Sequence, residues 1–89
     1  MRRGGQKYQV TLKKSVIKDL EKLPDIVLRR IQKAILGLSN NPRPDGCKKL
    51  KGRDDYRVRV GDFRILYFID DDLVTVEVVR VQHRKDVYE

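Results

Sequence analysis

With 89 residues, the chain has room for one domain and a core close to the minimum for independent folding. Its 21 Lys/Arg against 13 Asp/Glu leave a net charge of +8, which favours nucleic acid or an acidic protein as partner. A single cysteine, Cys47, excludes an internal disulfide and a thiolate metal cluster, and no apolar run approaches the ~20 residues of a membrane span.

Met1 to Gln6 is basic but lacks the apolar stretch of a signal peptide, so a cytoplasmic protein with a flexible residue 1–6 segment is expected. Tyr8 to Leu12 alternates and predicts a short first strand. Val16, Ile17, Leu20 and Leu23 recur at helical spacing, with Ser15 available as N-cap. Pro24 ends that helix or opens the next, and Asp25 suits a positive helix start. Val27, Ile31, Ala34, Ile35 and Leu38 form the apolar stripe of a longer second helix. Asn40 to Gly46 is a loop by composition, and Lys48 to Arg64 then concentrates positive charge.

Tyr56, Arg57, Val58, Arg59 and Val60 alternate as a strand buried on one face. Gly61-Asp62 reads as a two-residue turn into a second strand from Phe63 to Ile69. A tight turn opposes Val60 with Phe63, Arg59 with Arg64, Val58 with Ile65 and Arg57 with Leu66. Tyr56, Val58, Val60, Phe63, Ile65 and Tyr67 then share the core face, while Arg57, Arg59 and Arg64 project together from the other. Three guanidiniums held side by side repel one another and return no evident stability. They point to an anionic partner.

The last strand is predicted from Leu73 to Val81. A two-residue turn within Asp70–Asp72 sends Val74, Val76 and Val78 to the core, and Thr75, Glu77, Val79, Val81 and His83 to the arginine face; a three-residue turn reverses this. The expected fold is α+β, in the order β-α-α-β-β-β. A small antiparallel sheet, with an N-terminal strand and three C-terminal strands, carries a helical hairpin on one face, and residues 1–89 form one domain.

The chain closes on Gln82-His83-Arg84-Lys85-Asp86-Val87-Tyr88-Glu89. Cleavage of RNA by its own 2′-hydroxyl needs the nucleophile oriented, the phosphorane charge neutralised and two protons managed. Arginine suits the charge and is unsuited to the protons. His83 is the natural candidate acid or base, Glu77 the other, and Tyr88 could stack on a base. Each has a structural alternative: a solvated strand face for Arg57 and Arg59, a carbonyl cap or an Asp86 pair for Arg84, a surface imidazole for His83, edge packing for Tyr88. Their convergence favours function. The chemistry calls for no metal and no cofactor.

The run KLKGRDDYRVRVGDFRILYFIDDDLVTVEVVRVQHRKDVY, with VIKDLEKLPDIVLRRIQKAILGL and the loop NNPRP before it, resembles the RelE/ParE superfamily of toxins, in its RelE branch. The resemblance covers nearly the whole chain. It implies a type II toxin: a ribosome-dependent endoribonuclease that cuts mRNA in the decoding site. Its implied partners are the ribosome, mRNA and an acidic, partly disordered RelB-like antitoxin that holds it inactive in a hetero-oligomer. Arg57 and Arg59 fall where the family sets basic residues against the scissile phosphate. Arg64 and Arg84 match arginines that stabilise the transition state, and Tyr88 matches a substrate-stacking tyrosine. Lys48, Lys49, Lys51 and Arg53 would contact RNA or ribosome. The best-studied pattern has lysines where Arg57 and Arg59 stand, one of them assigned as general base, so here proton transfer passes to His83 or Glu77. The segment from Arg84 to Tyr88 is also shorter than in that pattern. Two other readings remain: a ParE-type toxin that poisons DNA gyrase without cutting RNA, and an inactive basic nucleic-acid-binding homologue.

Overall fold

The computed structural model describes residues 7–50 and 55–83; the expectations for residues 1–6, Lys51, Arg53, Arg84 and Tyr88 lie outside them. The elements run β1 (Gln9–Leu12), α1 (Lys14–Glu21), α2 (Asp25–Asn40), β2 (Lys48–Lys49), β3 (Asp55–Val60), β4 (Phe63–Asp70) and β5 (Thr75–His83). The five strands form one sheet in the order β1-β5-β4-β3-β2. The α+β architecture is the expected one, with two refinements. β1 pairs parallel with β5, so the sheet is mixed, and the two-residue β2 adds an edge beside β3.

One face of the sheet carries both helices. Val16 of α1 and Ile31, Ile35 and Leu38 of α2 close on Tyr56, Val58, Ile65, Tyr67, Ile69, Val76, Val78 and Val81 in one core cluster. Burying aliphatic and aromatic side chains of this size is worth about 1.5–3 kcal/mol each before entropy is counted, so the helices hold to this face and, among the described residues, leave the other open. Ile17, expected in the helical stripe, is instead 47% exposed.

β1 stops at Leu12, opposite Val78, and leaves the outer edge of β5 beyond that point without a strand. The start of α1 and its side chains take over. Lys13 N–H donates to the Val78 carbonyl at 3.0 Å, Ser15 Oγ to the Val79 carbonyl at 3.4 Å, and Asp19 Oδ2 accepts from Val81 N–H at 3.1 Å. An open strand edge invites pairing with another chain, and these bonds blunt it. The expected cap is also corrected: Lys13, whose side chain has no acceptor, occupies the N-cap position with no side-chain cap bond, and Ser15 lies inside α1 with its hydroxyl on β5.

The β4–β5 connection differs from the predicted two-residue turn. Asp70 pairs with Thr75, so four residues, Asp71 to Val74, make the turn. Asp70 Oδ1 accepts from Leu73 N–H at 3.0 Å, and Val74 adopts φ +54°, costly for a β-branched residue. Four residues keep the parity of two, and Val76 and Val78 are buried as expected. Val74 itself belongs to the turn.

Candidate functional site

The β3–β4 hairpin has the register read from the sequence: Val60 opposite Phe63, Arg59 opposite Arg64, Val58 opposite Ile65 and Arg57 opposite Leu66. Gly61 takes φ +60° at the first turn position, which type II′ hairpins reserve for glycine. Alternation then places Arg57, Arg59 and Arg64 on the open face, since Val58 and Ile65 between them are core. β2 adds a fourth cation. Lys48 pairs with Arg57 and shares its face, whereas Lys49 pairs with core Tyr56 and falls on the other side.

These side chains line a concavity of about 240 Å³ bounded by Gly46, Lys48, Arg57, Arg59 and Arg64. Among the described residues its lining is backbone and positive charge. Arg64 Nε is buried and has no hydrogen-bond partner. An unsatisfied buried donor on a cation is the arrangement an anion corrects.

The wall at Gly46 is fixed by loop chemistry absent from the sequence reading. Cys47 N–H donates to the Pro44 carbonyl at 3.0 Å, with Gly46 at φ +86°, the third-position geometry of a type II turn. Upstream, the buried Tyr67 hydroxyl donates to the Pro42 carbonyl at 2.8 Å. Arg43 stacks over the Tyr56 ring at 5.1 Å, donates to the Tyr56 hydroxyl at 3.2 Å and to Asp71 Oδ2 at 2.9 Å. Tyr8 donates to Asp71 Oδ1 at 2.7 Å, tying β1 and both loops together. Arg43, and behind it Tyr8, hold the Asp71 carboxyl below the usual carboxylate range. Burial, and next the nearby Cys47, push the Tyr67 phenol up. The Arg43–Asp71 pair is 41% and 55% exposed, so it is worth ~0–1 kcal/mol and acts chiefly as a positioning contact.

A β-bulge in β5 overturns part of the predicted face assignment. Leu66 pairs with Arg80 but Tyr67 pairs with Val78, so Val79 is the extra residue. Beyond it the parity reverses. Val81 is buried opposite Ile65 instead of joining the arginines, while Arg80 and Gln82 take the open face opposite Leu66 and Arg64. His83 also changes sides. It pairs with Phe63 and meets that ring edge-on at 4.9 Å, on the helix-bearing face. Arg80 is a cation the sequence reading missed; its Nε lies 3.8 Å from Asp19. The signal was present as the Val78-Val79 doublet, which breaks the alternation. Glu77 does lie on the open face, opposite Phe68 and one row beyond Arg57.

The comparisons place this arrangement, a mixed five-stranded sheet with a helical hairpin on one face and a basic pocket on the other, in a class of small toxins. The family model described as "ParE toxin of type II toxin-antitoxin system, parDE" matches residues 10–88. Toxin RelG of Mycobacterium tuberculosis is 36% identical over 85 residues, covering 91% of this chain and 95% of that protein. The toxin–antitoxin complex RelBE2 of M. tuberculosis aligns with TM-score 0.78 and 34% identity, over 90% of this chain and 94% of that one. The archaeal RelE–RelB complex of Pyrococcus horikoshii aligns with TM-score 0.80 and 30% identity, over 86% and 94%. The chain belongs to the RelE/ParE superfamily of type II toxins, in its RelE branch.

Proposed function

We propose that this toxin is a ribosome-dependent endoribonuclease that cuts mRNA in the decoding site by attack of the RNA 2′-hydroxyl. The observation that carries the reading is the cationic pocket of Lys48, Arg57, Arg59 and Arg64, with Arg64 Nε desolvated and unpartnered. Arg57 and Arg59 grip the scissile phosphate, and Arg64 meets the charge that develops on its equatorial oxygens. By the family resemblance, Arg84 adds a second transition-state donor and Tyr88 stacks on the substrate. His83, on the opposite face, is the weaker candidate for proton transfer. Primer extension on ribosome-engaged mRNA tests the activity: new 5′ ends inside coding regions are expected with the toxin and not without it.

An acidic RelB-like antitoxin is the proposed partner, in the cytoplasm, because solved relatives are RelB–RelE complexes and this pocket needs neutralising when idle. Coupled folding of such a segment should show a negative heat-capacity change by calorimetry.

The ParE family match favours one second reading, gyrase poisoning without RNA cleavage. Growth arrest with intact messages and accumulated gyrase–DNA breaks would establish it over the first.

A further inference from the structure

Attack by an RNA 2′-hydroxyl makes a bond from that oxygen to phosphorus and breaks the bond from phosphorus to the 5′-oxygen. The departing 5′-oxygen needs a proton, and a guanidinium holds its own too tightly to give one. Among the described residues the pocket is lined by Gly46, Lys48, Arg57, Arg59 and Arg64. Lys48 alone in that lining carries a proton it can release. Glu77 shares the open face but lies outside the lining, and His83 packs on Phe63 on the other face.

Backbone bonds hold Lys48 in place and leave its side chain unengaged. It pairs in register with Arg57 on the two-residue β2. On one side of it Leu50 N–H donates to the Asp55 carbonyl at 2.8 Å, and on the other Cys47 N–H closes the preceding turn onto the Pro44 carbonyl. The lysine is exposed, and among the described residues it makes no ion pair or side-chain hydrogen bond. No described group competes with a substrate for its protons.

Its position also fits one side of the reaction. β3 lies between β2 and β4, so Lys48 and Arg64 reach the pocket from opposite flanks of Arg57 and Arg59. With strands about 4.8 Å apart, the backbones bearing Lys48 and Arg64 are separated by roughly 10 Å. A phosphate held over β3 therefore has a guanidinium on one flank and an ammonium on the other. In-line displacement sets the attacking and leaving oxygens on opposite sides of phosphorus. An ammonium has three donors and no acceptor, so it cannot take the 2′-hydroxyl proton and can serve only the leaving side.

We propose that Lys48 is the general acid of the cleavage. As the bond from phosphorus to the 5′-oxygen breaks, the Nζ proton passes to that oxygen and makes the new 5′-hydroxyl. The 2′-oxygen closes a 2′,3′-cyclic phosphate, solvent water takes the 2′-hydroxyl proton, and water returns a proton to the amine. The inference deepens the RNA-cleaving reading and rests on it.

The test is single-turnover cleavage, at saturating toxin, of ribosome-engaged mRNA carrying either the natural oxygen or a bridging sulfur at the 5′ position of a mapped cut site. A thiol ionises near pH ~8.5, so a thiolate leaves without the proton that an alkoxide requires. Lys48→Ala should slow cleavage of the oxygen substrate by ~10²–10⁴-fold, the scale of general acid catalysis, and cut the sulfur substrate at nearly the wild-type rate. Lys48→Arg keeps the positive charge and should show the same split. Both variants should melt with wild type, because the side chain is exposed on an edge strand. Equal losses on oxygen and sulfur would make Lys48 a fixed charge and overturn the proposal. A Lys48→Arg variant that cuts the oxygen substrate at the wild-type rate would overturn it too. Either result leaves the nuclease reading standing. Wild-type toxin that cuts neither substrate overturns the nuclease reading, and the proton donor with it.

Discussion

Replacing Arg64 with alanine should damage activity while sparing the fold, and the two effects can be sized separately. Arg64 Nε is buried without a partner, and a donor left so costs about 1–3 kcal/mol. Arg59 stands directly opposite, and like charges at that spacing destabilise by a further ~0.2–1 kcal/mol. Against these stands the packing of the half-buried arginine stem, worth about 1–2 kcal/mol. The terms nearly cancel. Arg64→Ala should therefore melt at or slightly above the wild-type temperature, a gain of 1 kcal/mol corresponding to roughly 4–8 °C in a domain this small. Cleavage should fall by ~10²–10³-fold in single turnover, the scale of losing one donor aimed at transition-state charge. Affinity for uncleavable RNA should fall less, since that donor contributes little to the ground state. Thermal melts by circular dichroism and single-turnover cleavage of ribosome-engaged mRNA measure both. A variant that melts far below wild type and loses activity in proportion would make Arg64 a structural residue. Wild-type cleavage rates would mean that the pocket is not the phosphate site.

Tyr67→Phe leaves the Pro42 carbonyl bare in the interior and should cost about 1–3 kcal/mol in urea titrations at neutral pH. The phenol's folded pKa is raised above its unfolded value of ~10, so its contribution is complete below that pH and fades as pH rises through it. Alkaline destabilisation should accordingly be smaller in Tyr67→Phe than in wild type; equal slopes would remove the burial account. Asp71 has the opposite sign: its folded pKa is depressed, so its contribution is present above the ordinary carboxylate value of ~4 and is lost as pH falls through the folded value. Asp71→Asn should flatten the acid limb of melting temperature against pH, and an unchanged limb would show that Arg43 and Tyr8 do not hold the carboxylate. His83→Gln should leave the single-turnover rate and its pH profile close to wild type, because the ring packs on Phe63 away from the arginines. A loss of ~10²-fold or more with a flattened profile would return proton transfer to His83.

The hairpin was legible because its determinants are local. A two-residue turn and strict alternation fix every facing pair within residues 56–67, and one glycine satisfies the turn. The helical stripe of α2 was legible for the same reason. Misassignment begins where one residue changes parity. Val79 bulges out, and every side chain after it moves to the other face, carrying Val81 and His83 from the arginines to the helix side. Alternation from the turn cannot show this, although a valine doublet followed by Arg80 marks the place. The Arg43 cluster was illegible for another reason. Its partners Tyr8, Tyr56 and Asp71 come from three separate segments, and nothing local in the loop names them. Ser15 shows the same effect on a smaller scale, since a helix-cap residue type was claimed by a strand edge 64 positions away.

The composition of the pocket bears on why such a toxin would depend on the ribosome. Its described lining is one glycine, one lysine and three arginines. Arginine holds charge and does not exchange protons near neutrality. On the nuclease reading, the three arginines can bind a phosphate and stabilise a phosphorane, but cannot by themselves activate the 2′-hydroxyl. What remains to be supplied is alignment, and holding a nucleophile in line with its target can contribute ~7–11 kcal/mol, more than the ~3–4 kcal/mol of one aimed donor. A message clamped in the decoding site arrives with its backbone already constrained, whereas free RNA must be ordered by the toxin alone. Free RNA should accordingly bind, with a salt dependence reflecting the phosphates neutralised, and yet be cut far more slowly than ribosome-held mRNA at equal occupancy. Equal single-turnover rates on free and ribosome-held RNA would show that the toxin carries its own alignment and proton relay, and the charge-only account of these arginines would fail.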